Sequence, residues 1–150
     1  MAAKTAAEIR GTEYDWLGSD GESHVALFCT VGGGYAPDAF LQDTDAHDAA
    51  IAAILALPAS TRALSAPELG PDYVNTWKLV AERGLFAFDA DVSGGPYYRS
   101  AVPETPVRLD QLPAAVRDVL RGLEFRHLSF SALSIIRDEL LRDHDDQRHR

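Results

Sequence analysis

The run His24-Val25-Ala26-Leu27-Phe28-Cys29-Thr30-Val31 restricts the fold more than any other stretch of the chain. In an extended backbone, side chains alternate between faces, so Val25, Leu27, Cys29 and Val31 share one side while Ala26 and Phe28 take the other. Both sides are apolar. A strand with one wet face alternates apolar with polar, so this one requires cover on both faces and a central place in its sheet. Upstream, Tyr14-Asp15-Trp16-Leu17 is a second extended stretch. The intervening Gly18-Ser19-Asp20-Gly21-Glu22 is a turn cluster with two glycines, and the whole reads as a β-hairpin.

The rest of the chain mixes helical and extended periodicity. Gly32-Gly33-Gly34 ends the central strand, and Pro37-Asp38 opens a short helical turn. Asp43 or Thr44 is positioned to cap a helix with His47, Ile51, Ile54 and Leu55 on one face. After Pro67 and Pro71, Asp72 is expected to cap another, with Tyr73, Trp77, Val80 and Ala81 as its buried stripe. Leu85–Asp89 and Tyr97–Val102 read as paired strands joined through Ser93-Gly94-Gly95-Pro96. Leu112, Val116, Val119, Leu120 and Leu123 recur at helical spacing behind Asp110 and Pro113. Residues 125–132 alternate again, with Leu128 and Phe130 inward, and 134–142 suit a short helix. Hairpins are local and crossover helices do not follow each strand. The expected fold is therefore a single α+β domain over 13–142, a largely antiparallel sheet with three to four helices packed on it. Residues 1–12 are expected to be a loose lead-in, and 143–150 a polar tail that frays.

At 150 residues with 46% hydrophobic side chains, the chain has enough apolar material for a core of its own. No stretch approaches the roughly 20 apolar residues of a membrane helix, and the N-terminus lacks the pattern of a signal peptide. Cys29 is the only cysteine, so no internal disulfide is available. A cytoplasmic location is the expectation. The net charge is −9, and residues 1–50 carry nine acids against Lys4 and Arg10. That excess repels phosphate backbones, argues against nucleic-acid binding, and attracts basic proteins.

Motifs for chemistry fail one by one. Gly32-Gly33-Gly34 is followed by neither lysine nor Ser/Thr, and Asp38 puts negative charge where a phosphate would sit, so close backbone approach explains the glycines better. Asp89-x-Asp91-x-Ser93-Gly94 copies half of a calcium loop, but Ser100 stands where the bidentate acid belongs. His24, His47, His127, His144 and His149 show no metal-site spacing, so no metal or other cofactor is expected. Cys29 reads as a small core residue, and no nucleophile elbow exists. No catalytic residue is assigned. Glu13 with Asp15, and Asp20 with Glu22, are expected to face water on the hairpin rim.

What survives is an acidic hairpin with aromatic anchors. Tyr14, Asp15, Trp16, Asp20, Glu22 and Tyr35 are the expected partner-binding residues, because aromatic side chains dominate interface hot spots and acidic rims speed capture of a basic partner. The alternative is a small-molecule binder or enzyme, with a pocket near the Gly32–Gly34 turn and His47 or His127 as general base.

Tyr14-Asp15-Trp16, the glycine-containing turn, and His24-Val25-Ala26-Leu27-Phe28 followed by glycine resemble the opening hairpin of small bacterial proteins of the immunity type from polymorphic-toxin systems. Val74-Asn75-Thr76-Trp77 and Gly84-Leu85-Phe86-Ala87 extend the similarity. The resemblance implies a non-enzymatic acidic domain that binds and blocks a toxin, often a basic nuclease.

Overall fold

The structure is a computed structural model and describes residues 2–148. A mixed sheet of seven strands forms its centre, in the order β3-β5-β4-β2-β1-β6, with β7 also paired to β5. The strands are β1 (Asp15–Asp20), β2 (Val25–Cys29), β3 (Ala63–Ser65), β4 (Phe86–Asp91), β5 (Gly94–Pro103), β6 (Glu124–Phe125) and β7 (Ile135–Ile136). The helices are α1 (Ala6–Ile9), α2 (Asp38–Leu41), α3 (Thr44–Leu55), α4 (Thr76–Ala81), α5 (Ala114–Val119) and α6 (Asp138–Arg148).

The α+β class and the single sheet hold as expected. β1 and β2 form the antiparallel hairpin with Trp16 opposite Phe28 and Leu17 opposite Leu27. All five residues of β2 are buried, as its two apolar faces require. Four pairings are antiparallel, but β2 lies parallel to β4 and β1 parallel to β6. The parallel β2–β4 pair needs a crossover, and α2, α3, β3 and α4 supply it.

One face of the sheet is aromatic. Trp16 stacks on Phe28 with ring centroids 4.0 Å apart, and Phe28 continues to Phe88 at 5.3 Å. Tyr97 meets Trp16 and Phe28 edge-on, and Phe130 closes over Phe28 and Phe88. The indole N–H of Trp16 donates to the Tyr97 hydroxyl at 3.1 Å, which in turn donates to the Tyr35 carbonyl at 2.7 Å. The buried polar atoms of the two rings thus have partners. Helices α3 and α4 cover the opposite face, and α5 packs on α3.

Three segments depart from expectation. The lead-in is anchored: Thr5 and Glu8 close a capping box around α1, and Ile9 is buried. Lys4 N–H also donates to Leu41 C=O, and Thr44 N–H to Ala2 C=O. The helix expected over 134–142 begins at Asp138 and runs on through the supposed tail to Arg148 as α6, which buries Leu141 and Asp145 and sets His144 against Phe125 at 4.4 Å. His149 lies outside the described residues. The 125–132 stretch is a strand only at Phe125. Beyond it, Asp20 accepts the Phe130 N–H at 2.8 Å and Arg99 donates to the carbonyls of Phe130 and Ser131. Side chains thus satisfy the backbone of Phe130 and Ser131, Leu128 C=O accepts the Gly21 N–H at 3.0 Å, and Leu128 and Phe130 still point into the core.

Candidate functional site

The six residues expected to meet a partner do not form one surface. Trp16 has no exposed area, because its ring lies among Phe28, Tyr97 and Phe125 on the aromatic face of the sheet. Asp20 is also buried: its Oδ1 accepts the N–H groups of Glu22 and His24, and its Oδ2 accepts that of Phe130. It pins the turn and the segment lying over it. Tyr14 is half-buried, edge-on to Phe40. Tyr35 is half-buried too, its hydroxyl donating to Asp145. Glu22 alone is exposed, and there it accepts from Ser129.

Asp15 is half-buried on the face opposite Trp16, paired in register with Cys29. Cys29 is in register with Asp89 on its other side. Two carboxylates therefore flank one thiol. Burial, aided by the charges of Glu13 and Asp89, pushes Asp15 up to about 6. Burial likewise raises Asp89, against the opposing effect of the Trp77 indole N–H, which donates to it at 2.8 Å. Burial and the two acids raise the Cys29 thiol well above its ordinary value. A thiol held protonated in this way is a poor nucleophile and a poor metal ligand. The expectation that Asp15 faces water is corrected, and the Cys29 neighbourhood is more polar than the surrounding Val25 and Leu27 suggest.

Among the described residues, two groups have metal-ligating atoms within 4.8 Å of one another: Glu13, Asp15 and Cys29, and Asp20, Glu22 and His24. The first contains the protonated thiol. In the second, Asp20 already accepts three backbone N–H groups.

His47 is buried in α3, and its Nδ1 accepts the Leu17 N–H at 3.1 Å. β6 pairs only with Ser19 and Asp20, so the amide of Leu17 finds an imidazole where a strand would otherwise lie. Desolvation lowers His47 to about 4 and keeps it neutral, as this acceptor role needs. His127 is exposed. Neither lines the pocket beside the glycine turn, so the general-base assignment to that pocket is corrected.

That pocket exists. A cavity of about 330 Å³ lies between α1, the Gly32–Gly34 turn, the tip of the β4–β5 hairpin and α6. Close approach explains the turn: a Cβ on Gly33 would sit 2.4 Å from the carbonyl oxygens of Asp91 and Val92. Gly32 has φ +92°, and its neighbour Val31 also has positive φ. Arg10, Ser93, Asp138 and Arg142 reach the cavity from the surrounding elements.

A different surface carries the exposed apolar groups. Leu64, Leu69, Tyr73 and Val74 are 61%, 42%, 73% and 75% exposed, on edge strand β3 and the loop leading to α4. Tyr73 was expected within a helix. The helix instead starts at Thr76, because Asn75 caps it through Oδ1 and ties the loop back by donating from Nδ2 to Pro67 C=O at 2.7 Å. Leu64, Leu69, Asn75 and Lys78 border a groove of about 470 Å³. No sequence pattern pointed here, although the density of proline and the unpaired apolar residues between Pro58 and Asn75 were available signals.

Among the described residues, no helix is long and apolar enough to cross a membrane. No protein-family model matches the chain, no curated protein matches it, and no solved structure matches its fold.

Proposed function

We propose that this chain is a protein-binding domain with no catalytic chemistry of its own, and that it meets its partner through the 64–74 surface. The observation behind this is the clustering of exposed apolar groups. Four of the seven large hydrophobic side chains that stand exposed among the described residues fall within 64–74. Such a patch costs solubility unless something covers it. Tyr73 supplies the aromatic anchor that the hairpin, with Trp16 in the core, does not.

The partner is basic. Glu68 and Asp72 stand exposed in the same loop, and the net charge of −9 draws positive surfaces from a distance. An immunity-type role, with a basic toxin as partner, is one form of this function and rests on the resemblance of the hairpin.

Affinity capture from cells that express the protein tests the reading, using wild type beside the double variant Leu64→Glu/Val74→Glu. A basic protein retained by wild type, lost from the variant and weakened by salt is the expected outcome. Identical capture by both proteins would refute it. A concentration-dependent mass that the variant abolishes would instead make the surface a self-association site.

A further inference from the structure

The cavity beside the glycine turn is the strongest unassigned feature of the molecule. Its floor is apolar, from Ile9, Ala36 and Ala6, and its charged groups are Arg10, Asp138 and Arg142. Four separate segments build it, and its volume of about 330 Å³ falls at the low end of the range for small-molecule sites.

Arg10 lies at the end of α1 and Arg142 in α6, so the two guanidinium groups come to the cavity from different elements. Neither makes a salt bridge or hydrogen bond among the described residues, in a chain with nine more acids than bases. Arg142 is held in place all the same. Its guanidinium lies 4.6 Å over the Tyr35 ring, and Tyr35 is fixed by its hydrogen bond to Asp145 of the same helix. That leaves the planar fork of Arg142 with its N–H donors unspent, the geometry that suits a carboxylate.

The backbone does not offer a phosphate cradle. The N–H groups of Gly33 and Gly34 both donate to Thr30 C=O, and that of Gly32 to Thr30 Oγ1. A ligand here is therefore held by side chains. Among the lining residues Asp138 opposes the two arginines, and Asp145 lies just behind Tyr35, which favours a singly charged anion over a multiply charged one.

We infer that this cavity binds a small monocarboxylate with an apolar body, its carboxylate on Arg10 and Arg142 and its body against Ile9 and Ala36. The cavity shares no lining residue with the 64–74 surface, so this inference and the proposed function fail separately.

The test is a titration of the full chain, followed by amide chemical shifts and calorimetry, with benzoate, hexanoate, benzyl alcohol and inorganic phosphate at low salt. Benzoate or hexanoate is expected to bind saturably, shifting residues 32–36 and 142, and benzyl alcohol at least about tenfold more weakly. Arg10→Gln and Arg142→Gln, both at exposed positions, should each keep the wild-type melting temperature and weaken benzoate about tenfold or more. Three results overturn the inference: no saturable carboxylate binding up to about 10 mM, binding indifferent to both variants, or phosphate binding more tightly than either carboxylate.

Discussion

Two desolvated residues, the buried His47 and the half-buried Asp15, pull the stability of this protein in opposite directions as pH changes. His47 is neutral in the fold and lowered to about 4, so the unfolded chain takes up its proton first on acidification. Its contribution is whole above pH 6.5 and is lost as pH falls towards 4. Replacing it by Asn should therefore destabilise more at pH 7.5 than at pH 4.5, by denaturant melts at each pH. Asp15 behaves oppositely. Raised to about 6 from 3.8, it costs stability wherever it is ionised in the fold. Asp15→Asn removes that charge and should stabilise by about 1–2 kcal/mol at pH 7.5. That gain shrinks as pH falls from about 6 to 3.8. A pH-independent difference would mean that the Asp15 carboxyl is not desolvated as described.

At the scale of elements, α6 and the loop before α4 carry what the sequence conceals. Leu141 is fully buried in a helix whose one other apolar residue, Leu140, is half-buried. Leu141→Ala should cost about 2–4 kcal/mol; a frayed tail would lose nothing measurable by thermal melting. Asn75 holds both the cap of α4 and the 64–74 loop, so Asn75→Ala should cost about 1–2 kcal/mol. Its amide exchange in that loop should rise as well.

These elements show where periodicity informs and where it does not. The strand at Val25–Cys29 was legible because each of its faces is apolar in its own right, and the α3 cap at Asp43 because local chemistry decides it. The helix expected over 134–142 is present from Asp138, but its extension to Arg148 was illegible because beyond Leu141 only the half-buried His144 and the buried Asp145 face inward. Burial of Asp145 depends on Tyr35, 110 residues away in sequence. The partner residues were misplaced for a related reason: Trp16 sits where alternation puts it, but Tyr97 and Phe125, far away in sequence, decide that this face is dry.

At the scale of the whole molecule, the hairpin is the centre of the sheet and not a rim. Acidic residues adjacent in sequence are divided between two faces, with Asp15 on one and Asp20 on the other, so charge asymmetry along the chain does not become one acidic surface there. The exposed apolar surface lies at the opposite edge, on β3 and the loop that follows. The charge of the whole chain still acts at a distance, and association with a basic partner should slow as ionic strength rises past about 0.1 M, measured by stopped-flow mixing.

The central claim is that this opposite edge, and not the hairpin, is where a partner sits. Amide hydrogen exchange of the captured complex against the free protein measures that directly. New protection across residues 64–74 and unchanged exchange in 14–22 are expected. Protection confined to 14–22 and 35, with 64–74 exchanging as in the free chain, would contradict it.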